Sequence, residues 1–274
     1  MLADAHCHFH DVRLAPWKDA ALGEARALGL RVAVVNGTRE EDWPAVAEFA
    51  RGYDWVMPSF GLHPWHVPSR SPRWLEKLRA QLEAHPRAGV GEIGLDRWVE
   101  GHHLPDQIEC FRAQLALAVE RALPVTVHCL RAWGALLEVL QTCNVPPQGF
   151  LLHAYGGSHE MAEAFAKRGA YFSYSPSFLH ERKSAQRALF AELPADRILV
   201  ETDAPDLAPP RECTPYRLEA EGEAGDAEGP FLNHPANIAL AYASLAEVRG
   251  IPQPELERRV EENYARLFLE RAGQ

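Results

Sequence analysis

Two histidines near the start of the chain are the first residues whose types and spacing suggest chemistry. His6 and His8 lie in the segment LADAHCHFH at residues 2–10, which begins with apolar, β-favouring residues and predicts a strand. Because side chains alternate between the two faces of a strand, both imidazoles are expected on the same face. Two imidazoles on one face are half of a metal site, although neighbouring histidines are more often surface or hydrogen-bonded residues. The question is which other residues complete the set.

Further histidines and carboxylates follow apolar runs later in the chain. Each lies at or near the end of a predicted strand, and the set comprises His63, Glu92, His128, His153 and Asp203. In a parallel barrel the carboxyl ends of the strands meet at one mouth, which is where active sites of this fold lie. Any one of these residues could instead be structural. Burying several imidazoles without partners would be costly, so the set as a whole is predicted to be functional.

The segments that carry these residues alternate between two kinds of pattern. Apolar runs at 2–10, 31–38, 55–64, 89–96, 124–130, 150–155, 171–177 and 198–205 predict eight strands. Segments of helical spacing follow them at 15–30, 38–52, 71–85, 105–122, 133–143, 158–169, 180–193 and 233–250, and Thr38 is predicted to cap the second helix. The pattern favours an α/β fold, a TIM-type (β/α)8 barrel, over the alternative of an open doubly wound sheet. The repeat count reaches eight and no G-x-G-x-x-G follows a strand.

One barrel of about 250 residues would use nearly all of the 274-residue chain, so residues 1–274 are predicted to form a single domain. Residues 217–231 are rich in Glu and Gly and predict a mobile, solvated acidic loop. A further helix is expected at 254–272, packed outside the barrel.

Composition restricts the partners that the chain can bind. A formal net charge of −10 argues against broad electrostatic adhesion to a polyanion, so a nucleic-acid substrate would need metal ions to supply local positive charge. No apolar run is long enough to span a membrane, and the chain begins directly on a predicted strand, without room for a signal peptide. Five cysteines without C-x-x-C spacing suit reduced thiols in a cytoplasm. The oligomeric state stays open, a monomer included.

Four imidazoles and two carboxylates are too many ligands for one tetrahedral Zn²⁺ and suit two divalent metal ions with open positions. The two oxygens of a carboxylate can each bind one ion, so Glu92 is the natural bridge. His6, His8 and Asp203 would then hold one ion, and His128 and His153 the other. Histidine-rich sites favour Zn²⁺ or Mn²⁺ over Mg²⁺, which prefers oxygen, but the sequence does not decide between the three ions.

The motifs around these residues resemble the TatD family of metal-dependent hydrolases. They occur in family order from end to end of the chain, as DAHCH (4–8), GLHP (61–64), GEIGLD (91–96), PVTVHC (124–129), HAYGG (153–157), ETDAP (201–205) and ENYARLF (262–268). The resemblance implies an amidohydrolase-like barrel, a divalent-metal centre and hydrolysis of DNA phosphodiester bonds, often from the 3′ end. It also implies metal roles for the six positions chosen above, and a place for His63 near the substrate phosphate.

The chain departs from the family pattern at the rim of the predicted mouth. His10 stands where an Asp is common, Leu130 stands where an Arg is usual, and His234 replaces an acidic residue. None of the predicted ligands is affected. These departures weaken the inference of substrate and leave the inference of metal chemistry intact.

Three functional hypotheses follow. In the first, the chain is a deoxyribonuclease of 3′–5′ exonuclease type: Glu92 bridges the ions, Asp203 orients the attacking water and accepts its proton, and His63 assists at the phosphate. In the second, the same metals hydrolyse a small amide, lactone or ester. In the third, the chain is a non-catalytic metal-bound or DNA-associated scaffold. Basic side chains at the mouth would favour a phosphate, and a closed apolar pocket would favour a small neutral molecule.

Overall fold

Eight parallel strands form the centre of the molecule in a computed structural model that describes residues 1–98, 100–219 and 231–270. The strands are β1 (Leu2–Cys7), β2 (Leu30–Asn36), β3 (Val56–Phe60), β4 (Gly89–Asp96), β5 (Val125–Leu130), β6 (Phe150–Leu152), β7 (Ala170–Tyr174) and β8 (Ile198–Val200). They are hydrogen-bonded in sequence order from β1 to β8. Every residue of β1 and β4 is buried, as expected for parallel strands that are covered on both faces.

Contacts between the two terminal strands bring the sheet close to a closed cylinder. The backbone N–H of Asp203, just after β8, donates to the carbonyl of His6 at 3.0 Å, and the N–H of His8 donates to the carbonyl of Ala204 at 2.8 Å. The buried carboxylate of Asp4 also accepts hydrogen bonds from the hydroxyl and the backbone N–H of Thr202. The predicted TIM-type (β/α)8 barrel is therefore confirmed.

Helices cover the outside of this cylinder, seven of the described ones between successive strands and two after the last strand. They are α1 (Lys18–Ala27), α2 (Trp43–Gly52), α3 (Trp74–Ala84), α4 (Leu104–Arg121), α5 (Trp133–Thr142), α6 (His159–Ala166), α7 (Ser184–Leu189), α8 (Asn237–Arg249) and α9 (Gln253–Tyr264). The apolar spacing of α4 places Phe111 and Leu115 in the core, because residues four apart lie on the same helix face. No helix within these described ranges has the length and apolar character that crossing a membrane would require.

Several predicted boundaries differ from the observed ones. The second helix begins at Trp43 and not at Thr38, because the Thr38 hydroxyl and N–H instead donate to the carboxylate of Asp42. The seventh helix is only six residues long and follows two 3₁₀ turns. After α9, a π-helical turn at Ala265–Leu269 continues the chain, with Leu267 and Phe268 buried.

The ends of the predicted acidic loop form a short antiparallel ribbon. Strand β9 (Arg217–Leu218) pairs with β10 (Leu232–Asn233). The remainder of the loop, residues 220–230, and the last residues of the chain, 271–274, lie outside the described residues.

One glycine allows the centre of the barrel to close tightly. Gly94 in β4 adopts φ +154°, and a Cβ at this position would lie 1.9 Å from the carbonyl oxygen of His128 on β5. The register pairs these two residues directly. A side chain at 94 would push apart the two strands that carry Glu92 and His128.

Candidate metal centre

The carboxylate of Glu92 lies at the centre of the barrel mouth, and its two oxygens face different sets of histidines. Oε2 lies 3.5 Å from His6 Nε2 and 3.4 Å from His8 Nε2. Oε1 lies 2.9 Å from His153 Nε2 and 3.1 Å from His128 Nδ1. Strands β1, β4 and β5 carry His6, Glu92 and His128, while His8 and His153 directly follow β1 and β6. The convergence of the parallel strand ends therefore creates the arrangement.

Asp203 completes the first of these two sets. Its Oδ1 lies 3.1 Å from His6 Nε2 and 3.3 Å from His8 Nε2. Asp203 adopts a left-handed backbone conformation with φ +58°, and its N–H donates to the carbonyl of His6. This turn after β8 directs the carboxylate towards His6 in β1 and His8 just after it.

Three groups of side chains have ligand atoms close enough together to hold a metal ion. In each group the atoms lie within 4.8 Å of one another, and the groups are His6, His8 and Asp203; His6, Glu92 and His153; and His63, Glu92 and His128. All seven residues selected from the sequence therefore meet in one centre. His63, predicted beside a substrate phosphate, lies with its Nε2 only 3.5 Å from Glu92 Oε1.

Hydrogen bonds on the outer nitrogens fix the orientation of two imidazoles. His8 Nδ1 donates to the carbonyl oxygen of Asn36 at 2.8 Å, and His128 Nε2 donates to Asp96 Oδ2 at 2.8 Å. In a neutral imidazole the second nitrogen then carries a lone pair. That lone pair points towards Glu92 in both residues, which is the orientation found in histidines that bind metals.

In His63 the nitrogen that faces the centre is a donor and not a lone-pair acceptor. The other ring nitrogen, Nδ1, accepts a hydrogen bond from the backbone N–H of Trp65 at 3.2 Å. The proton of the neutral ring therefore resides on Nε2, which faces Glu92 as a donor.

Four buried atoms of the seven residues at this centre have no hydrogen-bond partner among the described residues: both ring nitrogens of His6, His153 Nδ1 and Asp203 Oδ1. Two of them, His6 Nε2 and Asp203 Oδ1, face each other. Buried polar atoms are almost always hydrogen-bonded, because an unsatisfied one loses its interaction with water without replacement. The two atoms lie 3.1 Å apart, and a cation between them would satisfy both.

The electrostatics of the centre favour anionic carboxylates beside groups of positive charge. Burial by itself would raise the pKa of Glu92, but the neighbouring imidazoles, those of His153 and His63 foremost, outweigh it and hold the pKa well below the ordinary value. The pKa of Asp203 is lowered in the same way by His6 and His8, against the effect of burial.

The pKa values of the imidazoles depend on the groups that each ring contacts. Burial would lower the pKa of His8, but its contacts with Asp203 and Glu92 raise it well above the ordinary value. Burial dominates for His63, whose pKa is well below the ordinary value. Contact with a carboxylate therefore raises the pKa of His8, whereas burial lowers that of His63.

Several residues outside the set selected from the sequence support the ligands. Asp96 and Glu201 stand at strand ends, but nothing in the sequence indicates that Asp96 accepts from His128, or that Glu201 Oε1 lies 3.6 Å from His153 Nδ1. The Ser173 hydroxyl on β7 holds the other oxygen of Glu201. Asn36, at the end of β2, contributes through its backbone carbonyl, which no side-chain pattern could reveal.

The rim departures lie apart from the ligand atoms. His10 Nε2 is 3.9 Å from Asp42, and Leu130 is 38% exposed. The ring of His234 lies against Tyr216, and its Nε2 is 3.5 Å from Glu24. These contacts place the differences around the centre and not within it.

Comparison with known proteins agrees with this centre. The profile of a family described as TatD related DNase matches residues 3–269. An uncharacterized metal-dependent hydrolase of Escherichia coli K12, YjjV, is 30% identical over 267 residues, covering 97% of this chain and 96% of that protein. A protein of Cronobacter sakazakii named 3′-5′ ssDNA/RNA exonuclease TatD is 31% identical over 257 residues, covering 93% of each chain.

Solved structures give the same result. The crystal structure of YjjV matches with a TM-score of 0.86 at 29% identity and covers 97% of each chain. A TatD family hydrolase from Entamoeba histolytica shares the fold, with a TM-score of 0.83 at 17% identity and 98% coverage of each chain. The chain therefore belongs to the TatD-related DNase family and is a metal-dependent hydrolase of that family.

Proposed function

We propose that this chain is a 3′–5′ exonuclease that hydrolyses DNA phosphodiester bonds with two divalent metal ions. The single observation that carries the proposal is the position of Glu92, whose two oxygens face two separate sets of ligand atoms. The name of the Cronobacter relative, a 3′-5′ ssDNA/RNA exonuclease, supports the substrate class and the polarity. RNA ends are included in that class, whereas a small ester or amide remains the alternative substrate.

The spacing of the ligand atoms supports this assignment. His6, His8 and Asp203 would hold one ion together with Glu92 Oε2, and their contacts measure 3.1–3.5 Å. Ligands about 2.0–2.1 Å from a tetrahedral ion lie about 3.3 Å from one another. The contacts of this set lie on either side of that value.

The second set is arranged around Glu92 Oε1. His128 Nδ1 and His153 Nε2 are 3.2 Å apart, and each lies within 3.1 Å of that oxygen. In the neutral ring, the hydrogen bond to Asp96 leaves a lone pair on His128 Nδ1, so this atom can serve as a metal ligand. A cation between the three atoms would relieve the repulsion between the lone pairs.

Divalent ions at this centre would supply positive charge that polarises a phosphoryl oxygen and lowers the pKa of water. Asp203 would orient the attacking water and accept its proton, a role that is supported by the position of its carboxylate at the mouth after β8. His63 is placed to donate from Nε2 to a phosphate oxygen, since its Nδ1 is occupied by the N–H of Trp65. Glu92 keeps the two sets of ligands at a fixed separation.

The donor types favour some divalent ions over others. Four imidazoles favour Zn²⁺ or Mn²⁺, whereas Mg²⁺ prefers oxygen ligands. We also propose that the chain forms a single catalytic domain and acts in the cytoplasm, where its five free cysteines would remain reduced.

Release of nucleotides from DNA with a single-stranded 3′ tail tests the proposal. The purified protein would be stripped with a chelator and assayed after adding back Mg²⁺, Mn²⁺ or Zn²⁺. The variant Glu92→Ala should lose metal-dependent release. Glu120→Ala, which removes an exposed carboxylate paired with Arg79 on the outer surface, should retain it.

Two outcomes would overturn the assignment. If the metal-loaded protein releases no nucleotide but hydrolyses small esters or amides, the alternative substrate class is correct. If Glu92→Ala, loaded with metal, hydrolyses DNA as fast as the unaltered protein, the ligand assignment is wrong.

A further inference from the structure

Two exposed tryptophans and an arginine lie on one side of the barrel mouth. Trp65 follows β3 and is 52% exposed, Trp98 follows β4 and is 58% exposed, and Arg131 follows β5. We call these three residues the aromatic wall. Tryptophan usually buries most of its ring, so two largely exposed indoles beside a catalytic centre indicate a surface that contacts a ligand.

Trp65 is the member of the wall nearest to the proposed metals. Its ring centroid lies 5.1 Å from that of His63 and 6.4 Å from that of His128. Its indole Nε1 donates to Asp96 Oδ2 at 2.7 Å, which fixes the plane of the ring. The ring is therefore held at the centre with about half of its surface open.

Trp98 is fixed to the same carboxylate through its backbone. Its N–H donates to the other oxygen of Asp96, Oδ1, at 2.5 Å. The guanidinium carbon of Arg131 lies 4.0 Å from the centre of the Trp98 ring, a cation–π contact. Asp96, which orients His128, thus also anchors both aromatic residues.

This combination of side chains matches the chemistry of an unpaired nucleotide. Nucleobases stack on aromatic rings regardless of sequence, and arginine adds to stacking while pairing with a phosphate. The net charge of −10 means that binding of a polyanion must depend on such local contacts rather than on a broad basic surface.

We propose that the aromatic wall binds the terminal bases of a single strand. Trp65 takes the base next to the reacting phosphate, since its ring lies beside His63, and the Trp98–Arg131 pair takes the following nucleotide. This inference rests on the proposed nuclease function for the class of its ligand. It also explains why the protein would prefer unpaired ends to duplex ends, because paired bases cannot stack on the wall.

Trp98 is the residue to change, because its ring makes no hydrogen bond to Asp96 and its backbone contact survives substitution. Trp98→Ala should raise the KM for a 3′-tailed DNA about 10-fold, with the effect on KM rather than on kcat. On the same DNA with abasic sites at its last two positions, the variant and the unaltered protein should differ by less than about twofold. Trp98→Phe should recover most of the loss, because a ring remains.

A matched control exists at the opposite end of the barrel. Trp55 precedes β3, and the guanidinium carbon of Arg26 lies 5.1 Å from its ring centre, so this pair has the same chemistry away from the mouth. Trp55→Ala should leave the KM unchanged on both substrates. The inference is wrong if Trp98→Ala changes the KM equally on intact and abasic DNA, or does not change it.

Binding without turnover separates this inference from the proposed function. Anisotropy of a labelled single-stranded oligonucleotide with a nuclease-resistant phosphorothioate backbone, measured with metal-loaded protein, should show affinity about 10-fold weaker for Trp98→Ala than for the unaltered protein or Trp55→Ala. Such binding by a protein that hydrolyses no DNA with any metal would refute the nuclease and support the wall. DNA hydrolysis with equal binding by all three proteins would support the nuclease and refute the wall. No binding by the unaltered protein would refute the wall.

Discussion

Replacing Asp96 with Asn should weaken one metal subsite and leave the other intact. Asp96 is fully buried and touches no ion in the proposed centre, yet its Oδ2 accepts the Nε2 proton of His128 at 2.8 Å. An Asn amide can donate to His128 Nε2 instead, which would move the ring proton to Nδ1 and remove the lone pair that faces Glu92. His6, His8 and Asp203 have no contact with Asp96 in this network, so their subsite should keep its affinity.

The size of the effect follows from the hydrogen bond that is lost. A hydrogen bond to a charged group contributes about 1.5–3 kcal/mol, and about 1.4 kcal/mol corresponds to a factor of ten. The second ion should therefore bind about 10- to 100-fold more weakly, the range found for residues that orient metal-binding histidines. Nucleotide release should then require more metal and should recover when metal is in excess.

Calorimetric titration of chelator-treated protein with Zn²⁺ or Mn²⁺ measures this directly. The unaltered protein should bind two ions, and Asp96→Asn should show one unchanged and one weakened binding step. Asp106→Asn is the matched control, because Asp106 is paired with Arg70 on the outside of the barrel. Equal weakening of both steps, or two unchanged steps in Asp96→Asn, would refute the role given to Asp96.

Three further predictions concern the rest of the chain. Gly94→Ala should lower the free energy of unfolding in a denaturant titration by about 3 kcal/mol or more, because its Cβ would lie 1.9 Å from the His128 carbonyl oxygen. Gly134→Ala, which has open space around it in α5, should not lower the free energy of unfolding. Equal effects of the two substitutions would contradict the reasoning. Burial raises the pKa of the Cys110 thiol to about 11, so it should resist iodoacetamide at about pH 8 in the folded protein and react only after unfolding, as mass spectrometry would show. Because the aromatic wall contains one cation, Arg131, the KM for single-stranded DNA should rise only about threefold between about 50 and about 200 mM salt, and a rise of a hundredfold would indicate a broad basic surface instead.

The barrel and its ligand residues could be predicted because both depend on local patterns. His6 at the end of β1 and His8 just after it reach the same carboxylate, as their two-residue spacing predicted, and the eight-fold alternation determines where the strand ends meet. The predicted start of the second helix is wrong for a local reason. Thr38 has the side chain of an N-cap, but Asp42 lies four residues further on and captures its hydrogen bonds.

The hydrogen bonds that orient the ligand side chains could not be predicted, because they join residues that are far apart in sequence and meet only in the folded structure. Asp96 lies 32 residues from His128 in sequence and accepts from it only because β4 and β5 pair in one register. Trp65 follows His63 by two residues, a spacing that predicts nothing about exposure, and its role depends on the ring remaining open to solvent. In neutral His63 and His128 the proton lies on Nε2 because of hydrogen bonds to Trp65 and Asp96, so Nε2 faces the centre in His63 but points away from it in His128. No sequence motif specifies these neighbours.

The measurement that tests the central claim most directly is nucleotide release titrated with metal. Chelator-treated protein would receive increasing equivalents of Mn²⁺ or Zn²⁺ in the presence of 3′-tailed DNA, alongside Glu92→Gln, in which the bridging carboxylate becomes an amide of the same shape. The account predicts that release rises with the second equivalent in the unaltered protein and stays absent in the variant at every concentration. Release by Glu92→Gln at the rate of the unaltered protein, or full release with the first equivalent, would contradict a two-ion centre joined by Glu92.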